Sequence, residues 1–178
     1  QPELRKYKGR AVFQGNKVVD QNWDVAMFQD LGSNPANMDA SRAADCYGCL
    51  PGHGLEIADA EQAYIQADLK GAETWVCLPW EARTEEMKKS KWVRPVVRLT
   101  KALYGHPDSG TFWEDHCDKE SRKVGFKPIG PTRPSCYFHQ KLNLYLVIYV
   151  DDFKLAGPKN NLKLGWELLR KGLSIEPE

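Results

Sequence analysis

The longest uninterrupted apolar stretch, Leu144 to Val150 (LYLVIYV), is rich in β-branched and aromatic residues and bounded by polar positions. That pattern predicts a strand buried on both faces. Phe153–Ala156 supplies a second short run, so Asp151-Asp152 sits where a two-residue hairpin turn belongs. Upstream, Leu55–Ala60 (LEIADA) alternates as a short strand ending beside Asp59, and Glu61–Leu69 turns helical. Thr74–Leu78 reads as a strand stopped by Pro79, Trp80–Lys91 as an exposed insertion or short helix, and Val93–Leu99 as a strand interrupted by Pro95. Three longer helices are expected. Ala36–Leu50 carries Met38, Ala43, Cys46, Tyr47 and Leu50 at helical spacing. Gly110–Val124 is capped by Ser109, shows a buried stripe of Trp113, Cys117 and Val124, and is closed by Gly125. Asn160–Leu173 places Leu162, Gly165, Trp166, Leu169 and Leu173 on one face. Arg10–Phe13 and Cys136–His139 complete the strands, and Asp20–Asn37 and Ile129–Pro134 are loops. This mixed order with a hairpin predicts an α+β fold, a small antiparallel sheet with helices packed on one face.

Bulk composition changes this picture little. The 178 residues and net charge of +1 suit an ordinary globular unit and advertise no global affinity for nucleic acid. Charge is uneven, however: Arg5, Lys6, Lys8, Arg10 and Lys17 crowd the start of the chain against Glu3 alone. Such a segment is either a solvated face or a clamp for phosphates. Its abrupt opening predicts a piece cut from something longer. No apolar run approaches membrane-spanning length, so no membrane partner is expected. Five cysteines, an odd number without framework spacing, point to reduced thiols in an intracellular setting. Cys46-x-x-Cys49 followed by His53 offers three zinc donors, but a structural site needs four and no second pair follows.

The candidate chemistry lies in carboxylates. Asp suits turns on its own account, because its side chain bonds nearby backbone. Adjacent acids are also held together where a cation neutralises them. If the strands ending at Asp59 and Asp151 are neighbours, three carboxylates converge at one edge of the sheet. Mg²⁺ is commonly bound by one or two carboxylates together with substrate phosphates. Two such ions roughly 3.5–4 Å apart stabilise both the attacking and the leaving oxygen of a phosphoryl displacement.

Several stretches then match one family in order. Tyr149-Val150-Asp151-Asp152 resembles the YVDD box of reverse transcriptases. YKGRAVFQG (Tyr7–Gly15), LEIADAEQAYIQADL (Leu55–Leu69) and VRLTKALYG (Val97–Gly105) resemble YKARLVARG, LHQLDVKTAFLNGDL and CRLKKALYG of Ty1/copia retrotransposon polyproteins. Thr74–Pro79, Trp113 and Gly125-Phe126 fall where that family carries a strand ending in Pro, a Trp and a Gly-Phe. The resemblance covers nearly the whole chain and implies a reverse transcriptase domain fragment with the palm of a right-hand polymerase and partial fingers. The fingers portions would be about 1–40 and 79–105, the palm about 41–78 and 106–178, with thumb and RNase H absent.

By the same resemblance, Asp59, Asp151 and Asp152 would be catalytic and would hold two Mg²⁺ ions, with Mn²⁺ as a substitute. Lys8 and Arg10 would touch the incoming triphosphate. Tyr64 would crowd a ribose 2′-hydroxyl, unless it is a plain core aromatic, and Tyr104-Gly105 would pack on nucleotide and template. Lys154 would approach the primer backbone or remain a surface lysine. The implied partners are deoxynucleotides, an RNA or DNA template with its primer, and the thumb, RNase H and integrase regions of the polyprotein. The implied location is a cytoplasmic virus-like particle with access to the nucleus. Two departures stand out. Asp108-Ser109-Gly110-Thr111 replaces the family's Gln-Ala-Pro-Arg, exchanging a base for an acid near the template path, and Gln14 replaces an arginine. They motivate the alternative of a catalytically silent palm remnant or nucleic-acid-binding module.

Overall fold

A computed structural model describes residues 11–27 and 32–178. Its centre is a five-stranded antiparallel sheet in the order β1-β7-β6-β5-β4, formed by His53–Asp59 (β1), Asp152–Pro158 (β7), Leu144–Tyr149 (β6), Cys136–His139 (β5) and Lys127–Pro128 (β4). A separate two-stranded ribbon pairs Trp75–Cys77 (β2) with Val96–Arg98 (β3). The helices are Met38–Gly48 (α1), the single turn Ala63–Gln66 (α2), Glu85–Lys89 (α3), Ser109–Lys123 (α4) and Lys159–Leu169 (α5). The α+β class therefore stands. No helix among the described residues is long and apolar enough to cross a membrane.

One-sided helix packing does not stand. β6 is apolar on both faces, and each face needs a cover. Leu144, Leu146 and Ile148 join Phe153 and Leu155 of β7 in a core closed by Trp113 and Cys117 of α4 and by Leu162, Trp166 and Leu169 of α5. Val147, Tyr145 and Ala156 point the other way, against Ala40 and Ala44 of α1. Period-two alternation makes the two sets inevitable once the strand is central. Small residues let α1 lie close on the sheet, and Asn37 caps it by accepting the Ala40 N–H at 2.9 Å. Burying each large apolar side chain of the main core contributes roughly 2 kcal/mol.

Other expectations are adjusted locally. The helix expected over Glu61–Leu69 shrinks to one turn, since Ala67 is already extended and Asp68 bridges to Lys101. Ser109 opens α4 without capping it: its hydroxyl donates to Leu103 O at 2.8 Å and accepts the Leu103 N–H at 3.0 Å. Gly125 (φ 97°) closes α4 as expected. Its N–H bonds Arg122 O, and the Phe126 N–H bonds Ser121 O, both at 3.1 Å, which is the Schellman pattern.

Ala11–Phe13 is not a strand. The Phe13 N–H makes a single bond to Tyr104 O at 2.7 Å, and the Phe13 ring rests on His106 with centroids 5.2 Å apart. Arg5, Lys6, Lys8 and Arg10 lie outside the described residues.

The docking of residues 11–15 on the loop before α4 depends on two glycines. A Cβ on Gly105 (φ 90°) would run into the Phe13 carbonyl, and one on Gly15 into the Gly105 carbonyl. Gly105→Ala combines a left-handed backbone with that overlap and should cost about 2 kcal/mol. Chemical denaturation checks this, with faster hydrogen exchange at the Phe13 amide. Gly130→Ala, with open space around its Cβ, serves as the neutral control.

Candidate active site at the β6–β7 turn

The hairpin places the acids differently from the expected Asp-Asp turn. Tyr149 pairs with Asp152, so the two-residue loop is Val150-Asp151, and Asp152 is the first residue of β7. Val150 has φ 56°, a conformation that β-branched residues avoid. A strained turn residue costs of the order of 1–3 kcal/mol and persists where its surroundings hold it. Here two hydrogen bonds do so. The indole N–H of Trp113, a residue only 1% exposed, donates to Val150 O at 2.6 Å, and the Ala60 N–H donates to Asp151 O at 2.7 Å. The sequence places Trp113 in the core stripe and at a matched position of the resemblance, but assigns its indole no hydrogen bond. Its signal was available, because a buried Trp needs an acceptor for its one polar atom.

β1 lies against β7 in a register that sets Asp59 directly across from Asp152. Directly opposed residues project from the same face, so both carboxylates stand on the α1 side of the sheet. The Asp152 carboxyl is raised above its ordinary range, first by burial, then by the charges of Asp151 and Asp59, with a hydrogen bond to Asp59 that the protonated form makes. None of the three acids is in an ion pair among the described residues. The next cation along the same face, Lys154, is held by α1: its ammonium donates to Ser41 Oγ at 2.8 Å and Asp45 Oδ1 at 2.9 Å. The tip of the hairpin thus gathers negative charge that no side chain among the described residues neutralises. Among the described residues, no group of three or more His, Cys, Asp and Glu is arranged to hold a metal by itself. Asp59 and Asp152, in direct register, supply carboxylate oxygens of the kind a hard divalent cation takes alongside waters or phosphate oxygens, without completing a shell.

Two further expected residues are close by. The half-buried Tyr64 on α2 meets Tyr104 edge-on, with centroids 4.4 Å apart and planes at 65°. Its phenol is raised by burial, then by Tyr104, Asp151 and Glu114, which puts the hydroxyl within electrostatic reach of the turn. Gly105 follows Tyr104 in the loop that receives Phe13. Glu114, which sequence reasoning does not single out, accepts the Asn34 N–H at 2.8 Å, and burial raises its carboxyl. Lys8 and Arg10 lie outside the described residues. Cys46 and Cys49 are exposed free thiols, and the His53 ring nitrogen meets Pro51 O. No protein-family model matches the chain.

Two outcomes follow from this geometry. Trp113→Phe removes the indole donor and should destabilise the fold by about 2 kcal/mol. Amide exchange at Val150 to Phe153 should quicken more than elsewhere in the sheet. Asp152→Asn removes a like charge opposite Asp59 and should stabilise the metal-free fold at neutral pH by roughly 0.5 kcal/mol. Because the folded carboxyl is raised, the wild-type chain is favoured below the ordinary carboxylate range and loses that advantage as pH rises through the raised value. The difference between variant and wild type in thermal melts should therefore be largest near neutrality and fade below about pH 4.

Proposed function

We propose that this chain is the palm, with part of the fingers, of an RNA-directed DNA polymerase of the Ty1/copia class, extending a primer on an RNA or DNA template with deoxynucleotides. The observation that carries the reading is the register of β1 on β7. It sets the acid of the LEIAD stretch across from the second acid of the YVDD stretch, with the first acid on the intervening turn.

In this reading Asp59, Asp151 and Asp152 hold Mg²⁺, for which Mn²⁺ can substitute. The bound ions supply charge neutralisation for the attacking and leaving oxygens of nucleotidyl transfer. The chain's own contribution is position and charge, which is most of what phosphoryl transfer asks of a protein. Trp113 and Ala60 fix the turn that carries Asp151. Tyr64, braced by Tyr104, stands as a wall beside that turn, where its ring discriminates against a 2′-hydroxyl by bulk. Lys8 and Arg10 are assigned to the triphosphate by resemblance. Thumb, RNase H and integrase regions are the proposed polyprotein partners, and a cytoplasmic particle is the proposed location. A silent nucleic-acid-binding palm is the competing reading, favoured by Asp108 at the entry to α4, where the family carries Gln-Ala-Pro-Arg.

Asp151→Asn, placed in the complete polyprotein, should lower Mg²⁺-dependent primer extension by at least about a hundredfold, the scale of losing one charge-stabilising group. Circular dichroism and melting should stay near wild type. Extension at a near-normal rate would remove the polymerase assignment, whereas metal-independent binding without extension in the wild type would favour the silent module.

A further inference from the structure

The excursion between β2 and β3 contains a surface that the hairpin site does not use. Trp80 and Trp92 lie on its two arms, 57% and 59% exposed. Arg83 clips the arms together. Its guanidinium stacks over the Trp80 ring, 5.5 Å from the centroid, while Nε donates to Leu78 O at 3.2 Å and a terminal nitrogen to Val93 O at 3.5 Å. Ser90 holds the second arm, donating to Met87 O at 2.7 Å and accepting the Trp92 N–H at 3.3 Å. Pro95 O accepts the Leu78 N–H at 3.2 Å below them. Two large indoles are thus kept in water on a braced loop, at an apolar cost the fold does not recover.

The charges around them are specific. Glu85 is paired with Lys88, and Glu73 with Arg98. Lys89, Lys91 and Arg94 flank Trp92 and are exposed, with no ion-pair partner among the described residues, and Glu81 and Glu86 are the acids of the same excursion that make no ion pair there. Lysine is depleted from protein–protein interface cores, so a protein partner fits this mixture poorly. Exposed aromatic faces interleaved with cations fit single-stranded nucleic acid, whose bases stack on the rings while its phosphates meet the charges.

We propose that the Trp80–Arg94 excursion is a docking platform for single-stranded nucleic acid, with Trp92 stacking a base and Lys89, Lys91 and Arg94 meeting phosphates. It rests on the polymerase reading for the kind of partner, but uses none of the hairpin acids. The Arg83 clip and the Ser90 bonds order the platform before binding, which limits the entropy lost on association.

The test is fluorescence anisotropy of the full chain with labelled oligo(dT) and oligo(rU) of about 20 nucleotides, longer than one stacking platform. Chelator is present throughout, so the result does not depend on metal. Trp92→Ala should weaken binding roughly tenfold. Replacing Lys89, Lys91 and Arg94 together with Gln should lower the slope of log affinity against log salt by about two. All these side chains are exposed, so melting temperatures should hold. Gly130→Ala, which lies in neither the platform nor the hairpin and has open space around its Cβ, should bind like wild type. Unchanged affinity and slope in both platform variants would overturn the proposal and leave the extension assay to judge the polymerase reading separately. So would Trp92-dependent binding to phosphatidylserine vesicles, or a Trp92-dependent dimer in light scattering, with no oligonucleotide binding.

Discussion

The pairing of β1 with β7 is the constraint on which the acidic edge depends. A slip by one residue would turn every β1 side chain to the opposite face. Asp59 would then leave the α1 side of the sheet for the Trp166 side. Several contacts fix the observed register. Glu56, on the α5 side, accepts the Trp166 indole N–H at 2.7 Å, which anchors the middle of β1 from below. Ala58 packs into the main core, and the Lys159 N–H bonds Gly52 O at 3.1 Å at the far end. At the near end the Ala60 N–H takes the Asp151 carbonyl, and the Glu176 N–H takes the Asp59 carbonyl at 2.8 Å. Backbone beyond both ends of the strand is therefore pinned, and the carboxylates have little choice of neighbour.

That arrangement works against stability at the very place it is enforced. Like charges opposite one another in a sheet repel, and a β-branched residue at positive φ adds strain one position before the turn's acid. Both costs are met by contacts elsewhere, chiefly the Trp113 and Ala60 hydrogen bonds and the apolar core around Phe153 and Leu155. A fold selected for stability alone would place an Asn-Gly turn here and an opposite charge across from Asp59. The departure from that optimum is the physical reason for treating the edge as a working centre.

Much of this was legible in the residues, and the misses have identifiable causes. The apolar run of β6, the strand ending at Asp59, the α4 stripe and its closing Gly125 each follow from local pattern. The position of the turn does not, because Asp-Asp is the better turn pair by propensity and Val150 is among the worst residues for positive φ. A tertiary hydrogen bond from Trp113 overrides that preference, and pattern carries no record of it. The second helix layer was implicit in a strand apolar on both faces, yet the small residues of α1 gave no strong sign of which face it would take. Arg10–Phe13 reads as a strand from its basic and β-branched residues, but Ala11–Phe13 finds no partner strand among the described residues, only the Tyr104 carbonyl. Lys154, with primer contact among its expected roles, is drawn to Asp45 on a helix that sequence order does not place beside it.

The loop from Leu103 to Pro107 shows how rigidity reaches the site without regular structure. Ser109 clamps both polar groups of Leu103, Tyr104 O receives the Phe13 N–H, and the Gly105 backbone lies so close to the Phe13 carbonyl that no side chain fits. The Tyr104 ring therefore has its backbone fixed on both sides, and its edge-on contact passes that position to Tyr64. Tyr64 in turn lies within the field of Asp151. A displacement of residues 11–15 would consequently be felt as a displacement of the aromatic wall beside the turn. Phe13 need not touch the acids to influence what fits against them, because one backbone hydrogen bond to Tyr104 and one ring contact from Tyr104 to Tyr64 already connect the two.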